Sequence, residues 1–500
     1  MATERKWRTD VRLTVDPSRA PRDEERAAED GTFDVVVFAD VDGAGTEAVP
    51  ARPVRFDRDN FESVLARIAP GWRGTVGGGD AEVSLSFRSL DDLHPDRIVE
   101  AIAPLAALLA ARRDPAQVAW STLAAPSAPT PAPQAAEPAP ADAPPERSLS
   151  LDDLLGVGVA PRRDPAPRSA LQPLLERLMA PHLVRVDRAH EAAVIAAVDA
   201  ALSEHLGAIM GDSAFRRAEL RWRSLWQLLA AAESAGAARV WVLPCSKAVL
   251  RGHLAEDPED APLTAPLFAK ITPALLIGDW EFDHSREDVE LLAWLGALAE
   301  RAGAPFLAAA SPRLLGCASF VELADIGAGA LLARTSGDAY EPWQALRDGA
   351  GAAWLALAAP RILARLPYGR QSRPVESFAF EEVARDGDPH ETLLWMNPAL
   401  VIATQILRAF GERGWAFDPR RDVQRIDGLP LFVSRAGGEP AAIPCGEVLL
   451  TDRQIEALRQ LGILPVCSLR DGPAVALPAM QSLSSQGTAL PLGALRPARA

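Results

Sequence analysis

Short apolar runs alternate with amphipathic stretches in the first 120 residues of the chain. The run DVVVFAD at 34–40 is rich in β-branched residues and predicts a buried strand. The stretch 61–68 places its apolar residues at positions i, i+3, i+4 and i+7, which form one face of a helix. Serines alternate with apolar residues at 83–87 and indicate a half-buried strand, and the stretch 91–113 predicts a helix.

The alternation of helices and apolar strands continues in the second part of the chain. A helical period runs over 194–209, and Ser285 with Asp288 forms the pattern of a capped helix start. Three apolar runs predict further strands: 238–246, 273–282 and 304–312. Strands that alternate with helices favour an α/β fold, here of mixed α+β character.

A tract rich in proline and alanine at 122–146 separates these two patterns. Such a composition cannot bury enough apolar surface to offset its ordering entropy, so we expect an extended, disordered tether. The chain is therefore predicted to contain five parts: a flexible arm at 1–30, a first domain at 31–118, a linker at 119–147, a second domain at 148–484 and a flexible tail at 485–500.

Composition and charge limit the range of functions that the chain can have. The net charge of −15 disfavours a nucleic-acid partner, since no basic stripe accompanies it. The four cysteines form no CxxC pair and fit a reducing compartment. The charged N-terminus has no secretory signal pattern, and the apolar windows are interrupted by charges before they reach membrane-spanning length. The sequence predicts a cytoplasmic protein without membrane insertion.

One acidic cluster is a candidate for chemistry. Asp279, Glu281 and Asp283 alternate at the end of a predicted strand and would share one face, which is a conceivable site for a hard metal ion. The favoured interpretation is a strand end that leads into a capped helix, with carboxylates near the helix N-terminus. Neither HExxH nor GxSxG occurs in the chain. We therefore predict no catalytic residue, cofactor or metal site, and no enzyme.

A loop rich in arginine is a second candidate for a functional site. Arg361, Arg365, Tyr368 and Arg370 lie in the stretch PRILARLPYGR, where proline and glycine restrict the backbone. A functional interpretation is a loop that binds acidic groups. The favoured interpretation is a turn that stabilises the fold, with arginine side chains paired locally.

The first segment resembles the small subunit of the type VI secretion contractile sheath, of the TssB/VipA type. Three motifs carry the resemblance in the order and spacing of that family, over roughly residues 30–115: FDVVVFAD, RFDRDNFESVLARIAP and SFRSLDDLHPDRIVEAIAPLAALLAAR. The resemblance implies that the first domain is a small-sheath-subunit-like domain.

The second segment resembles the large subunit of the same sheath, of the TssC/VipB type, from about residue 170 to 484. The resemblance rests on stretches in consistent order, among them FRRAELRWRSLWQLL, LLIGDWEFDHSREDVELL, APFLAAASPRLLGCASFVEL and LLWMNPALVIATQILRAFGERGW. Together the two resemblances imply a fused sheath subunit that assembles around an inner tube and contracts. The implied partners are the inner tube protein, other sheath subunits and baseplate proteins.

The chain departs from the large-subunit pattern near its end. The family continues beyond the position of the QSLSS motif with a portion that, by resemblance, lends a strand to neighbouring subunits. Its absence leaves open an accessory or baseplate-proximal protein that does not polymerise. An alternative of a different class is a metal-dependent α/β enzyme that uses Asp279, Glu281 and Asp283.

A short amphipathic helix is predicted in SLSLDDLLG, beside the tether. Its candidate interaction residues are Leu151, Asp153, Leu154 and Leu155, with the leucines on one helical face. The resemblance implies that such a helix is recognised by a ClpV-type AAA+ unfoldase, and an incidental helix is the alternative.

Overall fold

The computed structural model describes residues 31–41, 53–75, 82–115, 188–256, 271–384, 387–434, 440–470 and 472–492. The candidate interaction residues Leu151, Asp153, Leu154 and Leu155 lie outside the described residues, so their role stays a prediction. The same holds for the predicted arm and linker. The described residues up to Leu109, here called the N-terminal segment, and those from Asp199 onward, the C-terminal segment, belong to one compact unit. Residues 110–198 belong to a second unit.

The strands are short and are numbered in chain order. They are β1 (Phe33–Ala39), β2 (Val54–Phe56), β3 (Gly71–Thr75), β4 (Glu82–Ser86), β5 (Ala238–Pro244), β6 (Pro273–Phe282), β7 (Phe306–Ala310), β8 (Leu355–Ala359), β9 (Ile362–Leu363), β10 (Trp395–Met396), β11 (Arg425–Asp427), β12 (Phe432–Ser434), β13 (Ala441–Ile443), β14 (Ile463–Pro465), β15 (Cys467–Ser468) and β16 (Ala474–Ala476).

The α-helices are numbered in the same way. They are α1 (Phe61–Ile68), α2 (Pro95–Ala101), α3 (Ala103–Arg113), α4 (Arg188–Gly211), α5 (Ser213–Ala235), α6 (Lys247–Glu256), α7 (Arg286–Ala302), α8 (Phe320–Asp325), α9 (Ala328–Arg334), α10 (Glu341–Asp348), α11 (Pro389–Thr392), α12 (Pro398–Arg413), α13 (Pro419–Asp422) and α14 (Asp452–Gln460).

A seven-stranded sheet organises the compact unit. Its strand order is β14-β8-β7-β6-β1-β5-β2, and all neighbouring pairs are parallel except β2 with β5. Strand β1 comes from the N-terminal segment, yet both of its neighbours come from the C-terminal segment. The sheet therefore combines two segments that the sequence predicts as separate domains.

Both faces of the sheet are covered, as expected for parallel strands. Helices α5 and α12 contribute to one apolar core, and α7 and α14 contribute to the other. Along β1, Phe33, Val35 and Val37 face the first core, while Val36 and Phe38 face the second. The continuous apolar run of β1 thus reflects burial on two faces, and the predicted α/β fold class is confirmed.

The stretch predicted as one helix at 91–113 is divided in the structure. A 3-10 turn is followed by α2 and α3, and Ile102 between the two helices has an extended backbone. Pro104 lacks the N–H that a continuous helix would donate to the carbonyl of Glu100, which explains the break. The predicted helix start at Ser285 is confirmed, since its side chain accepts a hydrogen bond from the N–H of Asp288.

One helix in the described part of the chain has the length and apolar composition of a membrane span, at Glu191–Gly211. Core helices of soluble proteins share these properties. Leu202, Leu206 and Ile209 of this helix are buried in the protein. Length and composition are therefore weak support for a membrane segment here.

Candidate functional site

The contacts between the N-terminal and C-terminal segments, here called the junction, are the first candidate site. Strand β1 pairs with β5 over its whole length, from Phe33 opposite Ala238 to Ala39 opposite Pro244. All seven residues of β1 are buried. Since a central strand pairs on both sides and packs on both faces, the N-terminal segment supplies an integral part of the fold.

A buried carboxylate lies near the beginning of this strand. Asp34 is only 2% exposed and accepts two hydrogen bonds from Arg239, at 2.7 Å to Nε and 2.6 Å to Nη2. Trp241 donates a third bond from its indole N–H at 3.1 Å. The bond to Asp34 raises the pKa of the Arg239 guanidinium. Asp34 and Arg239 therefore form a charge-assisted, bidentate ion pair between the two segments.

Aromatic side chains add apolar contacts to the junction. Phe33 lies with its ring centroid 4.9 Å from that of Phe410 and 5.3 Å from that of Trp415. Phe61 of α1 lies 5.0 Å from Trp226 of α5. Such aromatic pairs stabilise a contact beyond the area that they bury. The helix face predicted at 61–68 is thus directed at the C-terminal segment.

Hydrogen bonds complete the junction away from the sheet. The indole N–H of Trp72 donates to Asp212 at 2.9 Å, and Asp212 also caps α5. Asp96 of α2 accepts bonds from the backbone N–H groups of Glu376 and Ser377, at 3.3 and 3.2 Å. These contacts fix a loop of the C-terminal segment to a helix of the N-terminal segment.

A group of charged side chains, here called the Arg365 cluster, lies beneath that loop. Arg365 is 5% exposed and forms bonds of 2.7 Å with both Glu219 and Glu382. Glu219 also accepts a bond of 2.7 Å from Arg223, and Arg365 lies over the ring of Tyr368 at 4.5 Å. Two cations thus alternate with two carboxylates in a site that water hardly reaches.

The electrostatics of the cluster follow from this pairing. Burial alone would raise the pKa of Glu219, but the charges of Arg365 and Arg223 outweigh it and lower that pKa. Burial opposes the charged form of Arg365 as well, and its two carboxylates raise its pKa well above the usual range. The loop arginines are paired, as the favoured interpretation of the sequence expects, but the pairing is not local. Arg365 binds Glu219, 146 positions away, and Arg361 binds Glu447, 86 positions away, at 2.6 and 2.7 Å.

A cavity of about 480 Å³ opens at the carboxyl ends of the central strands. It is called here the carboxyl-edge cavity, and its lining includes Asp40 after β1, Lys247 after β5, Asp279 and Glu281 of β6, and Arg361 after β8. Open α/β sheets place ligand sites at this edge, where neighbouring strands connect in opposite directions. The sequence cluster Asp279, Glu281 and Asp283 lies in this part of the fold.

The three carboxylates do not form one site. Asp279 binds Arg221 at 3.2 Å, and Glu281 lies 3.8 Å from Arg361. Burial raises the pKa of both carboxyl groups. Asp283 turns to the helix start instead, where it accepts a bond of 2.8 Å from the N–H of Ser285. Within the described ranges, no group of three or more His, Cys, Asp or Glu side chains is arranged to hold a metal ion.

The favoured interpretation of the cluster is confirmed for Asp283. Burial tends to raise its pKa, but the hydrogen bonds from Ser285 and the charge of Lys247 lower it. The roles of Asp34 and Glu219 were not predicted from the sequence. A charged residue inside an apolar strand was the available signal for Asp34, while nothing in the spacing of Glu219 indicates its partner Arg365.

Comparisons with known proteins agree with the two-segment fold. A family model described as "Type VI secretion system, VipA, VC_A0107 or Hcp2" matches residues 4–121. A model described as "EvpB/VC_A0108, tail sheath N-terminal domain" matches residues 192–484. The protein "Type VI secretion system sheath protein TssC1" of Pseudomonas aeruginosa strain PAO1 is 32% identical over 305 residues. That similarity covers 58% of this chain and 60% of that protein, so the chain spans less than two thirds of the relative's length.

The motifs quoted for the first segment thus lie within the range that the VipA model matches, and those quoted for the second segment lie within the range that the VipB model matches. The VipB model covers more than half of the chain, and the VipA match contains β1 and the rest of the N-terminal segment. The chain therefore belongs to the VipB family of type VI secretion tail sheath proteins, and it carries a VipA-family segment in the same polypeptide.

Proposed function

We propose that this protein is a structural subunit of a contractile type VI secretion sheath in which the small-subunit and large-subunit parts act as one unit. The observation that carries the proposal is the position of β1, a strand of the VipA-family segment that is buried between β5 and β6 of the VipB-family segment. A subunit that shares a central strand can transmit force through the main chain, because the strand cannot leave without disruption of the sheet.

The covalent connection has a physical consequence for assembly. It fixes a one-to-one ratio of the two segments and raises the effective concentration of one for the other. The proposed subunit works in the cytoplasm, surrounds an inner tube protein, contacts further sheath subunits and baseplate proteins, and changes its packing on contraction. The work is mechanical in this proposal and needs no bound cofactor.

Negative-stain electron microscopy of the purified full chain tests the proposal. The chain is imaged alone, with its inner tube protein, and beside a sample of the tube protein by itself. We expect tubules, or rings on tubes, only in samples that contain the chain. Monodisperse particles that do not bind the tube would contradict the proposal of a polymerising sheath subunit. Binding limited to tube ends would instead indicate a baseplate-proximal accessory protein.

We also propose that a ClpV-type AAA+ unfoldase takes the assembly apart through the predicted helix at SLSLDDLLG. The double variant Leu154→Ala/Leu155→Ala should slow ATP-dependent loss of light scattering from assembled chain. The matched control is Leu174→Ala/Leu175→Ala, in the neighbouring stretch LQPLLERLMA. Equal disassembly rates for both variants would show that the predicted helix is incidental.

A further inference from the structure

The three valines of β1 define its register only weakly. Val35, Val36 and Val37 are three consecutive valines, and the strand is buried on both faces. Register is normally set because a slip moves apolar side chains to the solvent face. A slip by two residues keeps each side chain on its own face, but it places only one valine where a valine was before and moves the rings of Phe33 and Phe38 away from their contacts. Packing of these two rings and the contacts of the charged residue Asp34 are therefore the two features that can set the register.

The neighbouring strand β6 does not fix the register at the beginning of β1 either. Asp34 lies opposite Pro273, and Val35 lies opposite Leu275, so the pairing skips Ala274 at this point. Such an irregularity interrupts the ladder locally. On the β6 side the regular pairing begins only at Val35, so Asp34 is held by contacts from β5, while Phe33 packs against Phe410 and Trp415.

Asp34 is the charged residue of β1, and its carboxylate has three donors on β5. Arg239 lies directly opposite Asp34 and binds both of its oxygens, while Trp241 lies two residues further along β5. A slip by two residues moves the carboxylate by about 6.6 Å along the strand. That movement breaks the bidentate contact with Arg239. When it is directed toward the carboxyl end of β5, it also leaves the charge among apolar side chains, which lowers the stability of the fold.

We infer that Asp34 is a register-determining residue of the junction: its contacts with Arg239 and Trp241 select which strand, in which register, the sheet accepts between β5 and β6. Buried ion pairs are weak contributors to stability compared with apolar groups of the same volume, and specification of one register is their best-attested use. The inference concerns the fold of the single chain, so it stands or fails independently of sheath assembly.

Engineered cysteine pairs report the register directly. Val35 lies opposite Val240, so a V35C/V240C chain reports the native register, whereas V35C/V242C reports a slip by two residues toward the carboxyl end of β5. In the native register the latter pair is about 8 Å apart, too far for a disulfide. Mild oxidation of the full chain is followed by peptide mass spectrometry, and the V35C single variant gives the background from the native cysteines.

The deciding variant is Asp34→Val, which continues the valine run at similar volume. We expect the slipped crosslink to stay at background with Asp34 and to rise by at least about tenfold with Asp34→Val. The matched control is Arg55→Met on β2, which pairs with β5 from the other side and should leave the slipped crosslink at background.

A folded Asp34→Val chain whose slipped crosslink stays at background would overturn the inference, because packing of the apolar side chains would then set the register. Should this variant fail to fold, Asp34→Asn decides the question. It keeps the shape and loses the charge, and its slipped crosslink should exceed the background severalfold. A slipped yield equal to that of the unchanged chain would overturn the inference as well.

Discussion

The pKa values of Glu219 in the Arg365 cluster and of Glu281 at the carboxyl-edge cavity are shifted in opposite directions, and the difference in burial does not explain this. The Glu219 side chain is 1% exposed and that of Glu281 is 36% exposed, yet the pKa of Glu219 is lowered and that of Glu281 is raised. Glu219 has Arg365 and Arg223 at 2.7 Å, while Arg361 lies 3.8 Å from Glu281 and is engaged by another carboxylate. The number and closeness of cations decide the outcome.

The same contrast separates two aspartates on neighbouring strands. Asp34 on β1 has three donors within 3.1 Å, whereas Asp279 on β6 has the Arg221 contact at 3.2 Å. Both closed, fully paired sites are buried: Asp34 joins the two segments, and the Arg365 cluster lies within the C-terminal segment. The carboxyl-edge cavity holds charges that are less completely paired and in part open to water.

The largest expected effect is from Arg365→Met, which removes the cation between two buried carboxylates. Loss of one partner from a buried ion pair costs about 3–5 kcal/mol of unfolding free energy. Urea denaturation of the full chain measures the change. The control is Arg459→Met in an exposed pair, where we expect about 0.5 kcal/mol or less. If Arg365→Met lowered the unfolding free energy as little as the control does, the buried Arg365 cluster would contribute no more to stability than an exposed ion pair.

A smaller effect is expected from Arg239→Met at the junction. Asp34 keeps its bond from Trp241 but loses the two charge-assisted bonds, and we expect a cost of about 2 kcal/mol. Arg239 is partly exposed, so relaxation of the site limits the cost. Urea denaturation beside the Arg55→Met control measures it. An unchanged midpoint would show that the buried carboxylate needs no cation.

The pH dependence of stability should have opposite signs at the two sites. The folded chain holds the proton of Asp279 above the ordinary pKa of 3.8, so this group's contribution is present at low pH and is lost as pH rises through the folded pKa. Relative to Asp279→Asn, the unchanged chain should therefore lose stability as pH rises from about 4.

Glu219 should behave in the opposite way, since its folded pKa lies below the ordinary value of 4.5. Its contribution is present above that value and is lost as pH falls, so the cost of Glu219→Gln should shrink in acid. Denaturant midpoints across pH measure both differences. Slopes of the same sign for the two variants would refute the contrast drawn between the sites.

The smallest effect is expected from Arg58→Ala at the exposed rim of the junction. Arg58 pairs with Glu233 at 2.7 Å, with side chains 45% and 57% exposed, and it lies 4.9 Å from the centre of the Trp226 ring. Exposed pairs contribute about 0.5 kcal/mol, and salt screens them. The expected loss is of this size at low salt and smaller in 0.5–1 M salt, by the same screening. If Arg58→Ala lowered the unfolding free energy as much as Arg239→Met does, the exposed rim would contribute as much to the stability of the junction as its buried ion pair.

Most elements were predictable because they follow local rules. The apolar run that became β1, the helix face of α1 and the cap of α7 all depend on neighbouring residues. The break between α2 and α3 depends on Pro104 and was also readable from the sequence, although a single helix was predicted. The role of Asp283 at a helix start followed from the same kind of spacing.

The sequence by itself determined the fold class, the two sheath-like segments and their order. Tertiary structure decided that β1 lies between β5 and β6, that Glu219 meets Arg365, and that Asp279 and Asp283 serve different sites. The physical reason is distance along the chain. Helix caps and strand runs are set within a few residues, whereas Asp34 and Arg239 are 205 positions apart and only the folded sheet brings them together.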